Sequence, residues 1–426
     1  MHNENGAIME TRTLVILIFL LSISSATSAL TPSTCDAYSV ALNGNPVTTA
    51  VSGSGNTIAI GGTNGMIGSF SPDGSPQWVY RLSDPVTGIS TTYDGRFIAA
   101  TTFNGDLFYF DVKGILLWNR SGFGCNSQVA LSGDGKDGYV FSRSPTRDFT
   151  GDTVFHFTGN GTVLSRLPVP APTSYALSTD ARIAVANSGG TEGRNSIVAI
   201  DDDGIRWQKI SPNQYRVPLV AVSDECNTIA AAEPRLLTTF SCHGRELWNT
   251  STKYIVRSIA VSGGGQYILA GTQYQIVNYN RSGSLIWEYP VPDYAAHVKA
   301  SKDGSRIVAT TQQTLYYLDG DGTALWQHTM KEWTESLSMS DTGDLIAAGT
   351  YNNTFTIFDG SGNAREIVLD TVPIIPVMTR VQEPIVNTSV APTRSQAAPV
   401  SLVIAVIGLV GGGILLRIRK SVTKAY

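Results

Sequence analysis

The sequence predicts an all-β protein, an eight-bladed β-propeller, from a regular repeat and from its composition. A turn that ends in glycine recurs at gaps of 40, 47, 43, 40, 39, 39 and 40 residues. Thr, Val, Ile, Ser and Tyr are abundant, only 15% of residues are charged and glycine occurs 42 times, which is typical of many strands joined by turns. Four short antiparallel strands in about 40 residues form one blade. The turn glycines are Gly74, Gly114, Gly161, Gly204, Gly244, Gly283, Gly322 and Gly362.

One hairpin shows the pattern of the units. Residues 108–118 read as strand, turn and strand; Asp111 can cap the turn through the backbone two residues on, and Gly114 can supply a positive φ. Trp118 follows the glycine by four residues. Large side chains suit the outer part of a blade, which is wider, so we expect the tryptophans there. The repeated tryptophans are Trp78, Trp118, Trp207, Trp248, Trp287 and Trp326.

Residues 46–370 are assigned to the propeller. Each unit reads as an apolar strand, a Ser-x-Asp-Gly-like turn, a strand rich in Ile and Ala, a variable loop and a final hairpin. Unit three has Ser165 where tryptophan is expected, and unit eight also lacks its tryptophan. An open β-solenoid is the alternative, but its coils usually take fewer residues. The ring closes either inside unit eight or with a strand from residues 36–42.

The N-terminus predicts export. Residues 1–29 have the layout of a signal peptide, with Arg12, an apolar run over 14–23 and small residues after it. An uncleaved membrane anchor is the alternative, although the apolar run is shorter than the ~20 residues that a span usually needs. Residues 30–45 form a short lead-in to the repeats.

The C-terminus predicts a membrane anchor. Residues 371–399 are rich in Pro and Thr and read as an extended stalk. Residues 400–416 carry no charge and predict a transmembrane helix, and the basic residues in 417–426 place the tail in the cytoplasm. We therefore expect a single-pass protein of the cell membrane with an extracytoplasmic propeller.

The repeats carry two resemblances. Asp111, Gly114 and Trp118 keep the residue types of the tryptophan-docking motif of pyrroloquinoline-quinone-dependent dehydrogenase propellers, although this turn is one residue shorter and lacks the Thr. Segments such as Leu-Ile-Ala-Ala-Gly-Thr at 345–350 look more like WD40-type blades. Over residues 46–370 the combination resembles secreted PQQ-like or WD40-like repeat proteins on archaeal cell surfaces, especially those of methanogens. These motifs are specific for the fold and say little about activity.

A quinone dehydrogenase would imply a tryptophan floor under the cofactor, a calcium ion and often an adjacent pair of cysteines. The four cysteines of this chain are not adjacent, and no unit carries an inserted acidic loop. The acidic turns at 201–204 and 319–322 lack the Glu that completes an EF-hand calcium loop, and they fall where other units have a capped hairpin turn. We therefore expect no enzyme activity, no cofactor and no metal.

Two further classes of site are unsupported by the sequence. The five histidines are scattered without the spacing of a zinc site. The net charge is −4 and the repeats contain no basic run, so nucleic acid is not an expected partner.

The four cysteines predict disulfides in an exported protein. Cys226 lies in the first turn of unit five and Cys242 in its third turn, on the same edge of the blade. A bridge between them leaves Cys35 for Cys125, although sequence alone permits three connectivities. Glycosylation is predicted at some of the Asn-x-Ser/Thr sites, most of which fall in turns or loops. These sites are Asn119, Asn160, Asn249, Asn280, Asn352 and Asn387.

Two long loops predict a binding face, because long loops on a rigid scaffold often carry function. They follow the second strands of units three and four, and we expect them to form one polar lip. The alternative is that unit three is only a drifting repeat. The loop residues are Arg143, Arg147, Asp148, Phe149 and Asp152 in the first loop and Glu192 and Arg194 in the second.

The sequence thus favours a non-enzymatic surface propeller that binds proteins or surface glycans, with membrane attachment through the C-terminal helix. An envelope assembly factor, similar to the PQQ-like lipoprotein of outer-membrane assembly, is the alternative. For a lipoprotein, however, the residues before Cys35, Thr31-Pro32-Ser33-Thr34, are a poor match to a lipobox. A quinoprotein dehydrogenase is the third hypothesis.

Overall fold

The computed structural model describes residues 47–143, 152–189, 195–212 and 218–374. These residues form eight four-stranded sheets, each built from four consecutive antiparallel strands, which confirms the predicted eight-bladed β-propeller. All of these residues belong to one compact unit. The predicted signal peptide, lead-in, transmembrane helix and basic tail lie outside the described residues, as does the stalk from residue 375 onward. Within the described ranges, no helix is long and apolar enough to cross a membrane.

The strands follow the predicted repeat. Blades 1 and 2 comprise β1 Val47–Val51, β2 Ile58–Gly62, β3 Met66–Phe70, β4 Pro76–Arg81, β5 Val86–Thr91, β6 Phe97–Thr102, β7 Leu107–Asp111 and β8 Leu116–Arg120. Blades 3 and 4 comprise β9 Cys125–Leu131, β10 Asp137–Arg143, β11 Thr153–Thr158, β12 Val163–Pro168, β13 Tyr175–Leu177, β14 Ala184–Ser188, β15 Ser196–Asp201 and β16 Gly204–Ile210. Blades 5 and 6 comprise β17 Leu219–Val222, β18 Ile229–Glu233, β19 Leu236–Phe240, β20 Glu246–Ser251, β21 Val256–Val261, β22 Tyr267–Thr272, β23 Gln275–Asn280 and β24 Leu285–Pro290. Blades 7 and 8 comprise β25 His297–Ala300, β26 Arg306–Thr310, β27 Thr314–Asp319, β28 Ala324–Thr329, β29 Thr334–Met339, β30 Leu345–Thr350, β31 Thr354–Asp359 and β32 Ala364–Val368, and a 3-10 turn at Leu369–Thr371 follows.

The four strands of each blade, in chain order, are called A to D here. The A strands of successive blades contact one another, so they surround the central channel. Because the strands are antiparallel, the A–B and C–D turns share one edge of the ring, which we call the lower edge. The B–C loops and the connections between blades share the opposite, upper edge.

Each interface between blades holds one apolar cluster. The cluster between blades 7 and 8, for example, contains Tyr317, Leu337 and Phe358, which are almost completely buried. The ring closes through the same kind of cluster between blades 8 and 1, where the rings of Phe70 and Phe355 lie 4.9 Å apart. The described strands therefore close the ring inside unit eight with no exchange of strands between blades.

Six interfaces share a tryptophan contact at the lower edge. The D-strand indole of one blade lies over the C–D turn glycine of the next and donates its Nε1–H to a carbonyl of that turn. Gly322 has φ +89°, and a Cβ there would lie 2.7 Å from Cδ2 of Trp287, which explains the glycine at this position. The donor and acceptor pairs are Trp78 to Val112 (3.0 Å), Trp118 to Gly159 (2.8 Å), Trp207 to Cys242 (2.8 Å), Trp248 to Arg281 (2.9 Å), Trp287 to Gly320 (2.9 Å) and Trp326 to Gly360 (3.1 Å).

The two units without tryptophan use other contacts. At the closing interface the Arg365 guanidinium donates a hydrogen bond to the Asp73 carbonyl. At the interface of blades 3 and 4 the buried His156 stacks on Tyr139, with ring centroids 4.5 Å apart, and its Nδ1 lies 3.7 Å from Asp202 in the C–D turn of blade 4. Unit three therefore lacks the tryptophan contact, and His156 contributes to its interface with blade 4.

A complete circle of backbone hydrogen bonds joins the A–B turns of the eight blades at the lower edge. In every case an N–H of one turn donates to the carbonyl of the second residue of the next turn. This circle adds a directional link to each apolar interface and includes the closing one. The bonds run from Ser54 to Tyr93 (2.8 Å), Tyr93 to Gly133 (2.8 Å), Gly133 to Thr179 (2.6 Å), Thr179 to Asp224 (2.9 Å), Asp224 to Gly263 (3.0 Å), Gly264 to Lys302 (3.0 Å), Lys302 to Asp341 (2.8 Å) and Asp341 to Gly53 (2.9 Å).

Candidate binding site

A β-bulge at the start of strand A lies at the upper edge in blades 2, 6 and 8, and the bulges of blades 6 and 8 border the same site. In blade 6, Val256 pairs with Thr272 and Ser258 with Gly271, so that Arg257 is the extra residue. In blade 8 the same irregularity leaves Glu335 as the extra residue of strand β29. A bulge re-aims the side chain of its extra residue, and both side chains are exposed at the upper end of the channel.

These two residues border a cavity of about 280 Å³ between blades 6, 7 and 8. We call this cavity the upper mouth. Its walls come from the first residues of the A strands, from the connections between blades and from the B–C loops of blades 7 and 8. The lining residues are Arg257, Tyr294, Ala296, His297, Gln312, Trp333, Thr334, Glu335 and Tyr351.

Aromatic rings form much of the upper mouth. Trp333 is 48% exposed on the connection between blades 7 and 8. The Arg257 guanidinium lies 5.8 Å from the ring centroid of Tyr294, within the range of a cation–π contact. On the adjoining loops, Tyr254 and Tyr274 meet edge to face at 5.2 Å. The upper mouth therefore combines accessible apolar surface with charged groups, the composition typical of energetically important positions in protein interfaces.

Burial disfavours the charged forms of two residues of the upper mouth, Glu335 and His297. Burial raises the pKa of the Glu335 carboxyl, while a hydrogen bond from Tyr351 opposes that effect. Burial and then the nearby Lys299 ammonium lower the pKa of His297 to about 4, so His297 is neutral at neutral pH. Shifts of this kind are frequent at functional sites.

Lys299 lies below the upper mouth, in the channel. It is two residues beyond His297 on strand β25, on the same side of the strand and roughly 6–7 Å deeper. Its side chain is accessible to solvent, yet burial lowers the pKa of its ammonium. That combination is expected for a side chain that projects into the narrow space enclosed by the ring.

Lys299 is exceptional among its equivalents. In each blade the residue after strand A is a Ser or Thr whose backbone N–H donates a hydrogen bond across the A–B turn, to the carbonyl of the residue five positions later. This shared hydrogen bond aligns the eight A strands. Two positions before that Ser or Thr, seven blades carry only Ala or Ser, whereas blade 7 carries Lys. The equivalent residues are Ala50, Ser90, Ala130, Ala176, Ala221, Ala260, Lys299 and Ser338.

Neither cation of this region has an anionic partner in the part of the chain that the structure describes. No described carboxylate forms an ion pair with Arg257 or Lys299, whereas Lys302 at the lower edge pairs with Asp224 at 3.3 Å and Asp341 at 3.7 Å. The hydroxyl beside Lys299 in blade 8, that of Ser338, donates instead to Thr49 of blade 1. The upper mouth and the channel below it therefore present two positive charges against the single carboxyl of Glu335.

The loop residues proposed from the sequence fall mostly outside the described residues. Strand β10 ends at Arg143, and Asp152 is only 2% exposed, with its Oδ2 accepting a hydrogen bond of 2.5 Å from the Ala171 N–H. Asp152 thus lies beneath the surface rather than on an exposed lip. The remaining loop residues, Arg147, Asp148, Phe149, Glu192 and Arg194, lie outside the described ranges, so the predicted lip stays a prediction.

The predicted disulfide of blade 5 is present. Cys226 and Cys242 are bonded, with their Cα atoms 5.5 Å apart, and they join the A–B and C–D turns of one blade at the lower edge. Cys125 is also disulfide-bonded. Cys35 lies outside the described residues, so its predicted pairing with Cys125 stays a prediction.

The acidic turns act as turn caps. Asp201 accepts a hydrogen bond from the Asp203 N–H at 3.1 Å, and Asp319 accepts one from the Thr323 N–H at 2.9 Å. No group of His, Cys, Asp or Glu side chains among the described residues could hold a metal ion. Of the predicted glycosylation sites, Asn160, Asn249 and Asn352 are exposed, Asn119 and Asn280 are half-buried, and Asn387 lies outside the described residues.

Sequence reasoning missed the upper mouth, because Arg257, Lys299 and Glu335 belong to no recognisable motif. The signal that could have revealed Lys299 is its difference from the aligned repeats. The bulges at Arg257 and Glu335 are a matter of strand register, which the repeat pattern does not report.

Comparison with known proteins shows similarity to other β-propellers. Residues 227–371, from blade 5 to the 3-10 turn after blade 8, match the family described as outer membrane protein assembly factor BamB. The structure of BamB from Moraxella catarrhalis is 17% identical with a TM-score of 0.54, covering 75% of this chain and 95% of that one. Chaetomium thermophilum Sqt1, bound to the N-terminus of the ribosomal protein L10, is 13% identical with a TM-score of 0.60, covering 74% of this chain and 97% of that one.

The C-terminal WD40 domain of Sif2 is similarly related, at 13% identity and a TM-score of 0.59, over 72% of this chain and 95% of that one. A search of curated proteins gave no match. At these identities the solved structures show the fold alone. The family match and the eight-bladed ring together support a PQQ-like β-propeller.

Proposed function

We propose that this protein is a non-enzymatic, membrane-anchored binding module whose upper mouth receives a segment of a protein partner. The observation that carries the proposal is the upper mouth itself. Two bulges direct the side chains of Arg257 and Glu335 toward a cavity, beside the exposed ring of Trp333. Its volume of about 280 Å³ is near the small end of the ligand-pocket range, which suits one or two side chains of a larger partner.

Charge complementarity supports a partner segment that carries negative charge. Arg257 and Lys299 have no anionic partner among the described residues, and His297 contributes no charge at neutral pH because its pKa is lowered to about 4. Trp, Tyr and Arg are the residue types that dominate binding energy at protein interfaces. A protein segment therefore fits this site better than a neutral surface glycan does.

The cellular setting of the proposal rests on the sequence. The signal-peptide layout, the apolar run at 400–416 and the basic residues after it favour a single-pass protein with the propeller outside the membrane, in an envelope like that of the archaeal proteins that the repeats resemble. Protease treatment of intact cells should then remove the propeller and spare the tail. If an epitope placed after Tyr426 is the accessible end, the orientation is reversed.

A role in envelope assembly is the second candidate function. The match of residues 227–371 to the BamB family favours it, and those residues include the upper mouth. On this hypothesis the partner of the upper mouth is a component of an envelope assembly machine. The binding-module proposal includes this case and does not depend on it.

Site-specific photo-crosslinking in cells tests the proposal. A photo-reactive amino acid replaces Trp333 in one variant and Tyr93 in a control, because these side chains are 48% and 45% exposed at opposite edges of the ring. We expect a discrete crosslinked protein only from position 333. Crosslinks from position 93 alone, or none from position 333, would contradict the proposal.

A further inference from the structure

We propose that the upper mouth and the channel below it bind a carboxylate group of the partner segment, which pairs with the Lys299 ammonium and the Arg257 guanidinium. This inference rests on the proposed function and adds the chemistry of recognition. It follows from the position of Lys299, from the lack of an anionic partner and from the shape of the upper mouth.

The first step is the position of Lys299. Seven of the eight equivalent channel positions carry Ala or Ser, so the long side chain of Lys299 is not required to fill the ring. An ammonium that is partly desolvated and lacks a counter-charge is less stable than one that pairs with an anion. Burial accordingly lowers the pKa of Lys299.

The second step is the absence of competition inside the protein. Neighbouring hydroxyls at this depth are already engaged, since Ser336 donates to the Val47 carbonyl at 2.7 Å and Ser338 donates to Thr49 at 3.1 Å. Among the described residues, no carboxylate pairs with Lys299 or with Arg257, whose guanidinium lies over Tyr294. An incoming carboxylate would therefore not have to break an existing ion pair.

The third step is access. Lys299 lies roughly 6–7 Å below His297 in the wall of the upper mouth, a depth that about two residues of an extended chain can span. Arg257 stands at the rim and Trp333 beside it. A segment that packs on Trp333 can thus place a carboxylate in the channel, whether the group belongs to an Asp or Glu side chain or to a C-terminus.

Glu335 disfavours anions that bind only at the rim of the upper mouth. Burial raises the pKa of its carboxyl and Tyr351 holds it through a hydrogen bond. Its negative form disfavours a carboxylate that stops beside it at the rim, whereas the Lys299 ammonium favours one that goes deeper. Recognition therefore requires both insertion into the channel and contact with the aromatic rim.

Peptide selection on the full chain tests the inference. A library of displayed random dodecapeptides is selected against the wild-type protein and against Lys299→Gln, Arg257→Gln and Trp333→Ala. Lys302→Gln is the matched control, because that lysine lies at the opposite end of the channel and already pairs with Asp224 and Asp341. We expect wild type and Lys302→Gln to enrich peptides with one acidic position, and Lys299→Gln and Arg257→Gln to lose that enrichment.

Synthetic copies of the selected peptides then identify the source of the carboxylate. Replacing the acidic residue by its amide should weaken binding to the wild type at least tenfold and should change binding to Lys299→Gln little. If amidation of the C-terminus has that effect instead, the group is a terminal carboxylate. Either result supports the inference, and binding should weaken as salt is raised.

The two proposals fail in different ways. Peptides that depend on Trp333 but lack an acidic position, or that bind Lys299→Gln and wild type equally, overturn the carboxylate inference and leave the binding module standing. A selection that yields no peptide dependent on Trp333 contradicts the upper mouth as a binding site and the inference with it. Denaturation midpoints of the variants confirm that they fold, and Arg257→Gln serves if Lys299→Gln does not.

Discussion

The capped turns at the lower edge of this ring and the charged groups of the upper mouth have pKa values shifted in opposite senses: toward the charged form in the turns and away from it at the upper mouth. At the lower edge, hydrogen bonds from Asn363 and Ser361 lower the pKa of Asp359 to about 2, and hydrogen bonding to Lys136 does the same for Asp134. At the upper mouth and in the channel, burial disfavours the charged forms of Glu335 and Lys299. The capped turns of Asp359 and Asp134 therefore gain stability from their carboxylates, although burial raises the pKa of Asp341 elsewhere at the lower edge. The upper mouth retains charges that the isolated protein does not stabilise.

This difference separates the part of the ring that maintains the fold from the part available for binding. The lower edge repeats the same contacts from blade to blade: capped turns, tryptophan contacts and a circle of hydrogen bonds. The upper mouth departs from the repeat at Arg257, Lys299 and Glu335. Charged groups that reduce stability persist when function requires them, so the irregular edge is where a partner is expected.

The largest expected effect comes from a tryptophan at the lower edge. Trp287→Ala removes a half-buried indole and its hydrogen bond to the Gly320 carbonyl, and we expect a loss of about 2–4 kcal/mol in the free energy of unfolding. Trp333→Ala is the matched variant at the upper mouth, where the exposed ring should contribute less than about 1 kcal/mol. Denaturant midpoints measure both, and equal losses would contradict the division between the two regions.

Loss of the lower-edge disulfide should have a similar effect. The double variant Cys226→Ser/Cys242→Ser opens a loop whose ends are 16 residues apart, and the chain-entropy model gives about 3 kcal/mol for a loop of that size. The denaturation midpoint should fall, while binding of selected peptides at the upper mouth should not change. A midpoint equal to that of the wild type under oxidising conditions would contradict the role of this bridge.

Acid should weaken the lower edge. Asp359 and Asp134 have pKa values of about 2 in the folded protein, against an ordinary value of 3.8. Between these values the unfolded state binds more protons, so stability rises with pH and is lost as pH falls from about 4 to 2. The effect per group is small because both aspartates are largely exposed.

Asp359→Asn tests that assignment by thermal melting at successive pH values. Asparagine can keep the turn cap, since Asn280 at the equivalent position of blade 6 accepts hydrogen bonds from the N–H groups of Ser282 and Ser284. The variant should show a slightly flatter fall in melting temperature below pH 4. A steeper fall than in the wild type would show that Asp359 does not contribute in this way.

The sequence predicted the regular part of the molecule well for a physical reason. Capped turns such as that of Asp111 and Gly114 are local, and their hydrogen bonds form within a few residues. The Cys226–Cys242 bridge followed from the same regularity. The contact of each tryptophan with the next blade, and the closure between Val47 and Ser336, depend on residues far apart in the chain, which local patterns do not encode.

The candidate site was not predictable in the same way. Arg257 and Glu335 reach the upper mouth through bulges, and strand register depends on packing between whole blades. The long loops around Asp152 and Glu192 were predicted to form the binding face because of their length and charge. Lys299 is a single different residue at a position that is Ala or Ser in the other blades. Its location in the channel is evident only when the eight A strands are placed around one axis.

The central claim is that Lys299 is kept for a partner at the expense of stability, and the denaturation midpoint of Lys299→Ala at neutral pH tests it most directly. Alanine is the residue at five of the seven other equivalent positions, such as Ala221 and Ala260, so the ring should accept it. The account predicts a higher midpoint, by less than about 1 kcal/mol because solvent also reaches the Lys299 side chain, while Lys302→Ala, which loses two ion pairs, should lower it slightly. A lower midpoint for Lys299→Ala would show that the lysine stabilises the ring and would contradict the account.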